Sequence, residues 1–432
     1  METNTKLPNE QTVIVVGAGA AGLIAARQLA DAGTRVILLE AASVPGGRMH
    51  TLREPGFSIP VEAGAEFIHG QLPITLGLLQ EAGIEFTAIA GDMKTVRSGN
   101  WLAEDPMNKF WDELMQKMNE TKEDLTVDAF LAKHFSDHTY ATLRISVKRF
   151  AEGFDLADPA RASTLALKQE WANEFEEEQY RIQGGYILLA EYLLECCRDS
   201  NVEIHFSSVV KEVSWGYDQV TVRTADSEFQ GHKVLLTVSA GIMQSGQIRF
   251  TPEPSAVLQA YKDIGYGSVI KFLLEFSKAF WKNDLKDAGF VLSDEAIPTW
   301  WTQAPGDSTL LTGWLGGPSA LRRSSMPEHE LLDLALASLS AIFHLPASEL
   351  KDILVKSRIV NWSKHPIALG GYSYSLPASD QAKKILAEPV EDTLFFAGEA
   401  LYLGDAPGTV EAAFITGQEA AIRILGAKNG KQ

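Results

Sequence analysis

Apolar and polar positions fall into several regimes along this chain. Thr12–Val16 is an apolar, β-branched run that stops at Gly17; Ala21–Ala32 then carries apolar residues at helical spacing and stops at Gly33; Val36–Leu39 is a second apolar run, closed by Glu40. Short β-branched runs flanking a periodic segment and punctuated by glycine predict a strand, a helix and a second strand. From about Leu72 to Tyr192 apolar residues recur at three- and four-residue spacing, as in MNKFWDELMQKMNE, TVDAFLAKHF and YATLRISVKRFAEGF, which predicts a mostly helical stretch. Strand-like runs return at Val202–Phe206, Val209–Val213, Gln219–Thr224 and Lys233–Thr237, then at Ser268–Phe276, Leu310–Leu315 and Ile353–Trp362, with a helix across Glu328–Phe343. Leu394–Ala421 closes the chain as it opened, with an apolar strand, a Gly- and Pro-containing turn and an Ala-rich helix. No Pro/Gly/Ser linker separates these regimes, so the domains are expected to interleave and the two ends to meet.

Composition narrows the picture modestly. A length of 432 residues allows two or three core-sized units. With 38 basic and 56 acidic residues the net charge is −18, which argues against nonspecific nucleic-acid binding. It fits either a cationic small substrate or an acidic, solubilising surface. The two cysteines, Cys196 and Cys197, are neighbours in a predicted helix, where their side chains point apart. Neither a disulfide nor a metal site is expected from them, which fits a reducing compartment. The start METNTKLPNEQT lacks the apolar core of a signal peptide, no stretch is long and apolar enough to span a bilayer, and GAKNGKQ reads as a polar tail. The expectation is a soluble cytoplasmic protein with no membrane or nucleic-acid partner.

Two turns carry chemistry. GAGAAG places Gly17, Gly19 and Gly22, with Ala18 and Ala21 between them, where a strand gives way to a helix. Such a turn brings backbone N–H groups and the positive end of a helix dipole to a pyrophosphate. Glu40, at the end of the second strand and followed by Ala41, is in register to accept hydrogen bonds from ribose hydroxyls, which favours FAD or NAD over NADP. The segment PGGRMHT then brings Gly46, Gly47 and the fixed charge of Arg48 close behind, a feature an NAD dehydrogenase does not need.

Together these residues resemble the N-terminal signature of the flavin-containing amine oxidases, the family of monoamine oxidases, polyamine oxidases and related histone demethylases. The resemblance continues through VEAGAEFIHG, IQGGYILLAEYL, GYGSVIKFLLEFSKAFW, NWSKHPIALGGYSY and the closing stretch. It implies an α/β fold in which a Rossmann-type FAD-binding domain of glutathione-reductase type (residues 1–90, 183–265 and 386–432) interleaves with a mixed-sheet and helical substrate domain (91–182, the helical part, and 266–385). It also implies non-covalent FAD, because Gly371 stands where monoamine oxidases carry the flavin-linking cysteine.

The same resemblance assigns residues. Gly64, Ala65, Glu66 and Phe67 would line the flavin through their backbone, Val210 would pair with the adenine, and Trp362 would pack near the ring. Gly398 and Glu399 would meet the diphosphate and ribityl chain, and Thr409 and Val410 would open a helix under the pyrimidine edge. Lys271 would hold a water near the flavin; strand alternation by itself places it with Val269 and Leu273, opposite Ile270, Phe272, Leu274 and Phe276, as a solvated lysine. Tyr372 would be one wall of an aromatic cage whose second tyrosine is replaced by Thr409. His69 is either a substrate-facing residue or a hydrogen-bonded structural histidine, and Glu62 either draws an amine by charge or is a surface acid. Trp300, Trp301 and Tyr374 are further pocket candidates, with core packing as the alternative. No metal site is expected. The implied reaction is oxidation of an amine to an imine, then to an aldehyde or ketone, with dioxygen reduced to hydrogen peroxide. Alternatives are an L-amino-acid oxidase, which needs a carboxylate-clamping arginine such as Arg53 or Arg149, a desaturase or protoporphyrinogen-oxidase-like enzyme, and a non-catalytic FAD-binding protein.

Overall fold

The computed structural model describes residues 11–426 except 104–107, 174–177, 284, 286 and 287; the expected polar ends lie almost wholly outside the described residues. Thr12–Val16 is the middle strand of a five-stranded parallel sheet in the order Glu203–His205, Arg35–Leu39, Thr12–Val16, Lys233–Leu236 and Leu394–Phe396. Its unbroken apolar run is explained by burial on both faces, as in parallel sheets generally. Val13 and Val15 pack with Leu23, Leu29 and Phe414 on one side, and Ile14 and Val16 with Val213, Leu236 and Tyr261 on the other. The first helix, Ala20–Asp31, and the last, Val410–Ile424, pack against each other on one face of this sheet. Their approach is close enough that a Cβ on Gly417 would overlap the Ala21 carbonyl oxygen. The two ends of the chain thus meet in one layer.

A second, mixed sheet of seven strands carries the other half of the site. Its order is Leu354–Asn361, Val269–Phe276, Leu310–Gly316, Thr299–Trp301, Ala288–Leu292, Asp92–Arg97 and Asn100–Leu102. Ile270, Phe272, Leu274 and Phe276 pack against helix Glu328–Phe343, as the alternation predicts. The opposite face is buried too, so Lys271 is not solvated.

Several local expectations are corrected. The stretch from Leu72 to Tyr192 is not purely helical, because it holds strands Phe86–Ala88, Asp92–Arg97, Asn100–Leu102 and Gln179–Ile182. The hairpin at 92–102 turns on Ser98 and Gly99, both at positive φ, the geometry of a two-residue hairpin loop. Val210 lies in the loop before strand Glu212–Gly216, not in a strand. A short helix, Ala347–Ile353, precedes the strand expected from Ile353. Cys196 and Cys197 lie in helix Ile187–Asp199 and are free. Among the described residues no single helix is long and apolar enough to cross a membrane.

Candidate active site

The cradle at the first turn shows which of its glycines the protein itself requires. A Cβ on Gly22 would overlap the Gly17 carbonyl oxygen, and one on Gly17 would stand 2.7 Å from Thr237 Oγ1. Gly19 is different. Its φ of −81° suits any residue, and a Cβ there would meet only Gly46 O, at 3.8 Å. Packing does not explain glycine at this position, whereas a diphosphate lying against the backbone does. Gly46 bridges to Gly19 and donates its N–H to Ala18 O at 2.8 Å, which fixes the second turn beside the first. Glu40 is buried, and burial pushes its carboxyl up. Its oxygens accept the N–H groups of Ala18 (2.6 Å) and Ala42 (2.7 Å) and keep lone pairs for sugar hydroxyls. Val210 is buried just beyond Ser208, whose N–H reaches Glu40 O at 2.8 Å, so it borders the same end of the cradle. These residues fit the nucleotide half of FAD.

Arg48 joins the two ends of the chain. Its Nη1 donates to Gly371 O at 2.7 Å and to Glu399 Oε1 at 2.8 Å. Glu399 Oε2 accepts from Ser373 N and Oγ at 3.2 and 2.6 Å, so this carboxylate is engaged within the protein on both oxygens. Gly398 has φ +138°, and a Cβ there would meet nothing within 4 Å. Thr409 is the N-cap of the last helix; its Oγ1 accepts from Ala412 N at 3.1 Å and donates to Ala406 O at 2.7 Å, leaving Val410 as the first helical residue. Gly64 also has a packing reason to be glycine. A Cβ there would overlap Arg48 O, so the glycine serves the backbone crossing between two segments, and Ala65 N then donates to Arg48 O at 2.9 Å. At Gly371 a Cβ would stand 2.5 Å from Leu156 Cδ1 and 2.8 Å from Val269 Cγ1, so this position has no room for a flavin-linking side chain. Trp362 is buried and donates from Nε1 to Ala63 O at 2.8 Å, just before Gly64.

Beside this cradle lies a charge cluster that the sequence did not disclose. Glu66, expected to act through its backbone, accepts five hydrogen bonds on its side chain. Lys271 Nζ reaches Oε2 at 2.7 Å. Oε1 receives Arg181 Nη2 at 3.1 Å and Nε at 3.2 Å, Trp301 Nε1 at 2.9 Å and Gln303 Nε2 at 3.4 Å. Burial would push the Glu66 carboxyl up; the charges of Lys271 and Arg181 outweigh it and hold the group below its ordinary value. The Lys271 side chain is 1% exposed and that of Glu66 4%. Nζ also donates to Gly64 O at 3.2 Å and lies 5.4 Å from the Trp301 ring centroid. Glu62 is not a surface acid. It is buried, accepts from Thr51 Oγ1 (2.8 Å) and Tyr186 N (2.7 Å), and burial pushes its carboxyl up to about 7.

Aromatic rings continue from this cluster and close on themselves. Trp301 contacts Trp314 at 5.9 Å between centroids, and Trp314 stacks on Tyr372 at 6.5 Å. In the other direction Trp301 meets Phe67 at 5.5 Å, Phe67 meets His69 at 6.2 Å, and His69 meets Phe154 at 5.9 Å. The Tyr372 hydroxyl donates to Phe154 O and completes the circuit. Gly408, in the last turn, would place a Cβ 3.0 Å from the Tyr372 ring, so the circuit abuts the segment that opens the last helix. His69 Nδ1 is buried and has no hydrogen-bond partner among the described residues, which removes the reading of a hydrogen-bonded structural histidine for that atom. Burial pushes its imidazole down to about 4, so it is neutral at physiological pH.

Of the pocket candidates only Trp301 joins this circuit. Trp300 points to the opposite face of the sheet, into the core with Phe272, and donates from Nε1 to Ile297 O at 3.0 Å. Tyr374 packs in the core of the helical segment with Leu114 and Trp171. Strand alternation sends adjacent residues to opposite faces, so Trp300 and Trp301 could not both line one pocket. Arg181, Trp314, Phe154 and Gln303 were missed. A signal existed for Trp314, which alternates with Leu315 in LLTGWLG and pairs across the strands with Lys271. Arg53 and Arg149 do not face the site: Arg53 is half-exposed beside Glu191, and Arg149 is exposed.

Residues 20–425 match the profile of the family described as flavin containing amine oxidoreductase, and the chain belongs to that family. The family is flavin-containing, the cradle described above fits FAD, and position 371 has no room for a linking side chain. Among curated relatives, Protein FLOWERING LOCUS D of Arabidopsis thaliana is 29% identical over 449 residues, covering 97% of this chain and 56% of the relative. Lysine-specific histone demethylase 1B of Mus musculus is 27% identical, covering 96% and 53%. The chain spans about half the length of these relatives. Among solved structures, putrescine oxidase bound to putrescine superposes with a TM-score of 0.81 at 20% identity, over 96% of this chain and 99% of that one. Cyclohexylamine oxidase from Brevibacterium oxydans does so with 0.80 at 21% identity, over 97% and 99%. These two likenesses establish the shared fold.

Proposed function

We propose that this chain is an amine oxidase that converts a primary or secondary amine to an imine, which water hydrolyses to an aldehyde or ketone and an amine or ammonia, while dioxygen becomes hydrogen peroxide. The observation that carries the reading is the closed circuit of Tyr372, Trp314, Trp301, Phe67, His69 and Phe154 beside Lys271 and the FAD cradle. Family membership and the two amine-oxidising structural neighbours support it. We adopt for it the division into an FAD-binding part and a substrate part given above.

When bound, the flavin supplies the acceptor for the two electrons that leave the amine. The protein's own contribution is to select and prepare the amine. Amines arrive largely as ammonium ions and react as neutral bases. Aromatic walls desolvate the ammonium and favour loss of its proton, while the ring faces offset part of that cost by cation–π attraction. His69 Nδ1, on a neutral ring and without a partner among the described residues, is placed to hydrogen-bond a substrate nitrogen. The stacked Trp314 and Tyr372 hold the amine's carbon body, and the Tyr372–Phe154 hydrogen bond fixes the helical segment over it.

The L-amino-acid-oxidase alternative loses both of its candidate clamps, since Arg53 and Arg149 lie away from the site and Arg181 is taken by Glu66. The test is anaerobic mixing of the yellow holoprotein with monoamines, diamines, longer polyamines and amino acids. At least one amine is expected to bleach the flavin, with hydrogen peroxide formed on readmitting air. Bleaching by amino acids alone, or by none of the compounds, would overturn the proposal.

A further inference from the structure

Glu66 gathers two cations on one buried carboxylate. The strand alternation that points Lys271 inward delivers a charge to a place where water cannot solvate it, and an unpaired buried charge is costly. Glu66 answers that charge at 2.7 Å and is itself held by Arg181, Trp301 and Gln303. These partners approach from three elements: Arg181 from strand Gln179–Ile182, Trp301 from Thr299–Trp301, and Gln303 from the loop that follows. Both carboxylate oxygens are thus held by hydrogen bonds. Lys271 Nζ, fixed by Glu66 and by Gly64 O, has two of its three N–H groups assigned. The other charged group facing the cluster is Glu62, from strand Val61–Glu62. The strand neighbours of Lys271, Trp314 and Val360, carry no charge.

We propose that Glu66 is a positioning residue for Lys271: it fixes Nζ in place and supplies its counter-charge, so that Lys271 acts as a fixed positive charge and hydrogen-bond donor and not as a proton acceptor. The inference rests on the proposed reading only for the presence of FAD nearby; it does not depend on which compound is oxidised.

The experiment is a pH titration of the oxidised holoprotein's visible spectrum, which needs no substrate, between pH 6 and 10. The flavin band senses nearby charge. The natural protein gives the reference titration, in which Glu62, pushed up to about 7 by burial, ionises within that range. In Glu66→Gln, which keeps the shape and removes the charge, Lys271 faces Arg181 without a counter-ion. A buried lysine in that state titrates up to ~3–5 units below its ordinary value, so a new spectral ionisation is expected, and it should vanish in Glu66→Gln/Lys271→Met. Reoxidation of the reduced flavin by dioxygen should acquire the same ionisation. A Glu66→Gln titration superimposable on that of the natural protein, or a new ionisation that survives the loss of Lys271, would overturn the proposal. If Glu66→Gln does not accumulate, the double variant must accumulate with FAD bound; equal failure of both would show that Glu66 serves only to hold Arg181 and Trp301. If no amine bleaches the flavin, the proposed function falls while the spectral titration still decides the role of Glu66.

Discussion

The two halves of the site are built by opposite means. The nucleotide cradle is made of backbone: Gly17, Gly19 and Gly22 within one turn, with Gly46 bridged to it. The other half, proposed above to face the substrate, is made of side chains: Glu66, Lys271, Arg181, Trp301 and Trp314, delivered by segments far apart in the chain. The first half fails when an atom is added, and the second when a charge or a ring is removed. Substitutions that respect this difference should separate the two.

The largest effect is expected at Gly22. A valine there would drive a side chain into the Gly17 carbonyl, and Gly22→Val should yield no soluble FAD-bound protein. Gly19→Ala sharpens the point. It should fold with a Tm close to that of the parent apoprotein yet bind FAD at least tenfold more weakly, as read by flavin fluorescence during titration. Equal FAD affinity would mean that no ligand approaches Gly19.

Next comes Glu66→Ala, which strands Lys271 and Arg181. Breaking a buried pair of this kind costs about 3–5 kcal/mol, measurable by denaturant unfolding of the holoprotein. Loss of under about 1 kcal/mol would mean that the cluster is far wetter than its burial implies.

Glu62 provides a pH test of intermediate size. Its carboxyl is pushed from an ordinary 4.5 up to about 7 by burial. A folded-state value above the unfolded one contributes stability that is complete below about pH 4.5 and is lost as pH rises through 7. By that linkage Glu62 disfavours the fold at pH 8 by at most about 3 kcal/mol. Glu62→Gln can still accept from Tyr186 N and donate to Thr51. It should therefore raise stability at pH 8, leave pH 5 nearly unchanged, and flatten the stability profile between them. A variant that is less stable at both pH values would contradict this.

The smallest effect is expected at the last helix. Thr409→Ala removes the N-cap bond to Ala412 and should cost about 1 kcal/mol of stability. It should leave the aromatic circuit intact, since no ring of the circuit is among the hydrogen-bond partners of Thr409 Oγ1.

Legibility in the sequence follows the same division. Strand Thr12–Val16 and helix Glu328–Phe343 have the bounds that the apolar pattern predicts, because burial on both faces of a strand and periodic burial of a helix leave local signatures. The hairpin at 92–102 carried its signal in Ser98 and Gly99 and was overshadowed by the helical stretch around it. Trp300 and Trp301 could be told apart only once the register of their strand was known. Lys271 looked like a solvated lysine on alternation alone, because the pattern shows which face a side chain takes and not what covers that face.

What the sequence by itself determined is the cradle. A tight turn, a close backbone approach and an acid at the end of the next strand are requirements between residues a few positions apart, and residue type reports them directly. What only the tertiary structure decided is the charge cluster beside the cradle. Glu66 and Lys271 are 205 positions apart, and no local propensity reflects their meeting. Ion pairing and ring contact depend on distance in space, and that distance exists only after the sheets have packed.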